Sequence, residues 1–136
     1  MPVTQNKVVT PQTPRSSSGV VTGANTNYTD TPTNTVEIFA AGPDGARVSK
    51  ITAISRQSTG ATELQLFRDH NGLGTTRRFF MSKVMPAVAV STSTGQAPVD
   101  FGVSDANPLI LAANEKLYGG IGIAGGVVFT VEGANF

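Results

Sequence analysis

Leu117-Tyr118-Gly119-Gly120-Ile121-Gly122-Ile123 and Val127-Val128-Phe129-Thr130-Val131-Glu132 flank Ala124-Gly125-Gly126, and this stretch decides the fold class. Both flanks alternate with a period of two and carry β-branched and aromatic residues, the pattern of strands. The glycines between them mark a tight reversal. A two-residue Gly-Gly turn pairs Ile123 with Val128 and sets Gly122 opposite Phe129. A three-residue loop pairs Ile123 with Val127, Ile121 with Phe129 and Gly119 with Val131. The second register gathers the large apolar side chains on one face, with Gly126 in the left-handed conformation, so a hairpin of that register is expected. The same letters contain Gly120-Ile121-Gly122-Ile123-Ala124-Gly125, which spells a dinucleotide-binding fingerprint. That motif works only as a turn opening a helix whose N-terminus holds the pyrophosphate, and here a β-branched strand follows. The glycines are therefore assigned to the turn and to close packing.

The period of two continues upstream. In Thr35–Ala40, Val36, Ile38 and Ala40 share one face, and Gly42-Pro43-Asp44-Gly45 reads as a turn with a hairpin signal at Asp44-Gly45. Arg47–Ser55 reads as a second strand. Its Val48, Ile51, Ala53 and Ile54 keep no single alternation, which implies a bulge or burial on both faces. Ala61–Arg68 is a third strand with Leu64 and Leu66 inward, followed by the loop Asp69-His70-Asn71-Gly72-Leu73-Gly74. Thr76–Val84 fits a strand or a short helix ended by Pro86, and shorter strands are expected in Ala87–Ser91, Val99–Val103 and Leu109–Leu111. About eight strands across residues 35–136 predict an all-β domain, an antiparallel β-sandwich or jelly roll.

Residues 1–34 differ from the rest. They hold 8 Thr, 3 Ser, 4 Pro and 4 Asn, with apolar residues only in islands such as Val8-Val9, Val20-Val21 and Tyr28. Pro11, Pro14 and Pro32 forbid regular helix. Two expectations stand: a disordered tail, or an extended arm that orders against a partner through the Val pairs. Fully extended, the segment spans about 110 Å. The predicted boundary lies between an arm, 1–34, and a β-sandwich domain, 35–136.

Composition narrows the chemistry. Charged residues are 14% of the chain, and the net charge of +1 gives no whole-chain attraction to nucleic acid or an anionic membrane. With no Cys there are no disulfides, thiolate metal sites or cysteine nucleophiles, and one His rules out the usual multi-His metal sites. Asp69-His70-Asn71-Gly72 lacks the acidic density of a calcium loop and is what turn geometry itself selects. No catalytic, cofactor-binding or metal-binding residue is assigned. No stretch has the apolar length of a signal peptide or membrane span, so a chain kept in the cytoplasm is expected, and Asn27-Tyr28-Thr29 is read as a chance glycosylation match. Charge is uneven along the chain: residues 44–83 carry net +4 and residues 84–136 net −3. Head-to-tail complementarity or binding to a larger shell would use it, with Arg77 and Arg78 as candidate contacts. Beside Phe79-Phe80 they lack the aromatic repeat and wider basic field of a nucleic-acid platform.

The segments Thr35–Gly42, Ala46–Ile54, Glu63–Arg68 and Leu117–Phe136 together resemble small β-sandwich virion proteins of tailed bacteriophages, in particular capsid decoration, or cement, proteins. The resemblance covers most of residues 35–136 and rests on pattern. It implies a non-enzymatic virion component without cofactor, made in the bacterial host cytoplasm and bound to the major capsid protein on the capsid surface. It implies a homo-oligomer, with a trimer favoured, and no direct contact with nucleic acid or membrane. Val8, Val9, Val20, Val21 and Tyr28 would supply the arm's apolar contacts. The alternatives are a tail or head–tail component, or a jelly-roll carbohydrate-binding module of a phage fibre. With no Trp and two Tyr, a sugar-stacking platform would be sparse.

Overall fold

A computed structural model describes residues 10–136; Val8 and Val9 lie outside the described residues. Nine strands form among the described residues, β1 (Thr13–Val21), β2 (Val36–Ala40), β3 (Ala46–Ser55), β4 (Thr62–Asp69), β5 (Arg78–Met85), β6 (Val99–Asp100), β7 (Leu109–Leu111), β8 (Lys116–Ile121) and β9 (Val127–Asn135). No helix occurs among the described residues. Two antiparallel sheets pack face to face. One has the order β1-β9-β3-β6, with β7 also paired to β3, and the other has the order β2-β8-β4-β5. The chain is a β-sandwich.

The core lies between the sheets. Val48, Ile51, Ala53, Val127, Phe129 and Val131 of one sheet face Ile38, Leu64, Leu66, Leu117 and Ile121 of the other, all essentially inaccessible to solvent. Two bulges set this phase. The register of β3 against β9 shifts between Val48 and Lys50, which lets Val48 and Ile51 both face inward although they are three residues apart. The shift between Glu37 and Phe39 lets the adjacent Ile38 and Phe39 both be buried. The irregular alternation of the second predicted strand therefore has its expected cause.

The turns differ from the sequence expectation. β8 and β9 are not a hairpin: β8 pairs with β2 and β4, and β9 with β1 and β3, so residues 122–126 arch from one sheet to the other. Leu117, Gly119 and Ile121 do share a phase with Val127, Phe129 and Val131, but they meet across the core instead of side by side. Gly119 is the close point, where a Cβ would stand 3.1–3.2 Å from three ring carbons of Phe129. The Asp44-Gly45 turn behaves likewise. Gly45 adopts φ +89° and donates its N–H to Gly42 O at 3.0 Å, yet it joins β2 of one sheet to β3 of the other. Among the described residues the one sequence-adjacent antiparallel pair is β4–β5, and its second strand, from Thr76–Val84, is strand and not helix. Ala87–Ser91 forms only an isolated bridge, Thr59 with Val88.

The β5 edge is protected. Lys83, opposite the inward Leu64, sits on the inner side of edge strand β5 and donates from Nζ to Asp100 O at 2.9 Å. An inward charge and the bulge between Leu66 and Phe67 both disfavour edge-to-edge pairing there. On the opposite side, residues 13–21 of the predicted arm are β1, paired along all nine positions with β9. That strand is part of the sandwich.

Candidate functional site

Alternation along β4 directs Gln65 and Phe67 away from the core, beside Gly120 and Tyr118 of β8 in register. On an open face they would be solvated, yet both are fully buried. Residues 22–35 cover them. Ala24 makes a parallel bridge to Ile121, and Asn25 N–H donates to Ile121 O at 2.8 Å. The buried Asn25 side chain donates from Nδ2 to Gln65 Oε1 at 2.8 Å and to Asn27 O at 3.0 Å. Its Oδ1 accepts from Asn27 N–H at 3.2 Å and Thr33 N–H at 3.0 Å. Gln65 Nε2 donates back to Asn25 O at 3.0 Å. A Cβ at Gly120 would stand 2.8 Å from Gln65 Oε1, so the amide can lie here only over a glycine. This satisfied polar network replaces water on the face and fixes the path of the covering segment.

An aromatic group emerges at its rim. Tyr28 donates its hydroxyl to Glu63 Oε1 at 2.6 Å, and its ring meets Phe79 edge-on at 4.9 Å, with Phe79 a further 5.5 Å from Phe67. The hydrogen bond to Glu63, then burial and the Glu63 charge, push the Tyr28 phenol above its ordinary value, against a smaller lowering from Gln65. Tyr28 and Phe79 stay 45% and 38% exposed, and Val84, across from Glu63, is 66% exposed. All three lie on the outer side of the β4–β5 edge, Tyr28 and Phe79 in contact and Val84 opposite Glu63.

The neighbouring arginines have different environments. The Arg77 guanidinium lies over the Tyr118 ring at 4.3 Å, Nη1 donates to Thr35 Oγ1 at 2.9 Å, and Nε is buried without a partner. Arg78 is solvated and pairs with Asp30 at 3.3 Å. Much of the charge along the chain closes on itself, through Arg68–Glu115 at 2.7 Å and Lys116–Glu37 at 3.2 Å.

One end of the sandwich carries a second polar group, around a cleft of about 380 Å3 lined by Asp69, His70, Asn71, Thr76 and Arg78. Asp69 is buried and accepts from the N–H groups of Gly72 and Gly74, both at positive φ. Behind it, the Glu115 carboxylate accepts from Arg68 Nε at 2.7 Å and Nη2 at 3.1 Å, and from Ala112 N–H at 2.8 Å. It lies 2.9 Å from His70 Nδ1. Asp69 and Glu115 thus lock the 69–74 loop and the 112–115 turn to the end of the sandwich. No group of three metal-ligating side chains exists among the described residues.

The residues chosen from sequence do not converge. Val20 lies half-buried on the outer face of the other sheet, in a cross-strand row with Val128 and Ile54. Val21 is fully buried in the core, because adjacent strand residues point to opposite faces, so it is not a surface contact. Tyr28 and Arg78 are accessible on the β2-β8-β4-β5 side, and Arg77 is largely occupied by Tyr118. Sequence reasoning missed Asn25, Gln65 and Glu115. A glutamine between two inward leucines reads as a solvated outward position unless the covering segment is known. Comparison of the chain with known protein families, with curated proteins and with solved structures gave no match.

Proposed function

We propose that this chain is a non-enzymatic virion protein, a capsid decoration protein that binds the assembled shell of major capsid subunits, and that its sandwich is a jelly roll. The observation that carries the proposal is the strand pairing: β1 with β9, β2 with β8, β3 with β6 and β7, and β4 with β5. The first half of the chain is matched against the second half in reverse. The orders β1-β9-β3-β6 and β2-β8-β4-β5 result when such a nested ribbon wraps round a core. Viral capsid domains and lectins share that path. A fold hosts many functions, so the phage-virion resemblance of residues 35–136 selects among them.

Attachment uses accessible groups: Tyr28, Phe79 and Val84 on the outer side of the β4–β5 edge, Arg78 at the end cleft, and Val20 on the opposite sheet, with a homo-oligomer, favoured as a trimer, presenting several copies. Stabilisation of the shell follows from linkage, since a protein that binds assembled capsid and not dissociated subunits shifts the equilibrium toward the assembled form. Electron microscopy of particles with and without the protein tests this. Extra density on the outer capsid surface is expected; density confined to the tail or neck would assign the protein there instead.

A further inference from the structure

β1, like the edge strand β5, has a single fully buried side chain. Its nine residues, Thr-Pro-Arg-Ser-Ser-Ser-Gly-Val-Val, pair with β9 at every position, but only Val21 is fully buried. Its inward positions include Ser17 and Gly19, and its outward positions are Ser16, Ser18 and Val20. Besides Val21, its inner face is held by Arg15, whose guanidinium lies 5.2 Å from the Phe39 ring centroid and donates to Asn135 Oδ1 at 3.3 Å, and by the close approach of Gly19 to β2. A strand this polar on both faces is nonetheless of the kind prone to exchange. Backbone pairing, by contrast, runs along all nine positions, so the same segment of another copy on the β9 edge would gain the same pairing.

The connection to the rest of the chain is also suited to exchange. Beyond Val21, only Thr22 and Gly23 precede Ala24, which is bridged to Ile121, and Asn25, which is anchored in the buried amide network. The covering segment is therefore fixed, and a two-residue hinge, held by one backbone bond from Gly125 N–H to Thr22 O at 3.0 Å, joins it to β1. A Cβ at Gly23 would meet Asn34 side-chain atoms at 2.7 and 2.9 Å, so the hinge passes where only glycine fits. A short, constrained hinge beside a weakly packed edge strand is the usual geometry for swapping an element between copies.

We propose that β1 is an exchangeable strand whose other acceptor is the β9 edge of a second copy of this chain. Opening at Thr22-Gly23 delivers Thr13–Val21 to the neighbour, where the same ladder and the same Val21 pocket receive it. The natural chain has no Cys, which makes a disulfide test clean. Ser18 and Thr130 are partners on the outward side of the β1–β9 ladder, and Thr52 lies one strand further, opposite Thr130.

The experiment mixes Ser18→Cys protein with Thr130→Cys protein under mild oxidation, with Ser18→Cys plus Thr52→Cys as control. The double variant Ser18→Cys/Thr130→Cys reports that the pair closes within one chain. Exchange predicts an interchain 18–130 disulfide at several times the yield of the 18–52 control. Light scattering of the natural chain is expected to show a two-chain species that grows with concentration. Equal yields for the two mixtures, with intrachain closure in the double variant, would overturn the proposal. So would a natural chain that stays monomeric at every concentration.

Discussion

Replacing Gly119 with Val tests the arch that carries β8 into one sheet and β9 into the other. A Cβ at position 119 would stand 3.1–3.2 Å from Cγ, Cδ1 and Cδ2 of Phe129, where ordinary carbon contacts lie at about 3.5–4.0 Å. The ring cannot retreat freely: Phe129 is fully buried and its ring centroid lies 6.1 Å from that of Phe101 at an interplanar angle of 27°. Overpacking of this kind costs about 1–3 kcal/mol, offset by about 0.5–1 kcal/mol from removing a flexible glycine from a strand. The net expectation is a loss of about 1–2 kcal/mol, which lowers the melting midpoint by about 4–8 °C in a domain of this size. Phe129→Leu makes room, so Gly119→Val/Phe129→Leu should be more stable than the sum of the two single losses, by at least about 0.5 kcal/mol. Denaturant titration of the four proteins measures this coupling. Strict additivity, or a Gly119→Val protein as stable as the parent, would refute the cross-core contact.

Acid should weaken the latch at the end of the sandwich. Burial raises the Glu115 carboxyl, but the Arg68 hydrogen bond, the Ala112 N–H and the charges of Arg68 and His70 outweigh it and hold it below its ordinary value of 4.5. A lowered folded value means that this stability is fully present above pH 4.5 and is lost as pH falls below it. Glu115→Gln should therefore cost about 1.5–3 kcal/mol at neutral pH and show a shallower loss in acid, read from melting curves across pH. The two arginines should separate: Arg77→Glu loses the stack on Tyr118 and costs about 2 kcal/mol, whereas Arg78→Glu stays within about 0.5 kcal/mol. Equal effects in thermal melts would contradict their different environments. Asn25→Ala removes the donor to buried Gln65 Oε1 and the acceptor of the Asn27 and Thr33 N–H groups, and should cost about 1–3 kcal/mol while increasing proteolytic cleavage within residues 22–35; unchanged cleavage would mean that the segment is held by other contacts.

Strand periodicity was legible from residue types. Leu64 and Leu66 point inward as alternation requires. Of the two causes expected for the broken pattern of Val48, Ile51, Ala53 and Ile54, a bulge or burial on both faces, a bulge between Val48 and Lys50 brings Val48 and Ile51 inward, while Ile54 is half-buried on the outer face. Turn chemistry was less informative. Asp44-Gly45 and the Ala124-Gly125-Gly126 tract mark where the chain reverses, but they do not say whether the turn closes a hairpin or crosses between sheets, and Gly126 does not take the left-handed conformation expected of a hairpin loop. Which occurs depends on nonlocal pairing, β8 with β2 and β4, that no short window contains. Low apolar content made residues 13–21 look like a free arm, because an edge strand paired through its backbone needs few apolar side chains. The polar network of Asn25 and Gln65 was hidden for a related reason: its burial depends on a segment 40 residues away in the chain.

The most direct test of the proposed role is the thermal stability of undecorated capsid shells as this protein is added. Binding only to assembled shell predicts a disassembly temperature that rises with its concentration and levels off once sites are filled, following the logarithmic form of ligand linkage. A disassembly temperature independent of its concentration, or equal binding to dissociated capsid subunits, would contradict it.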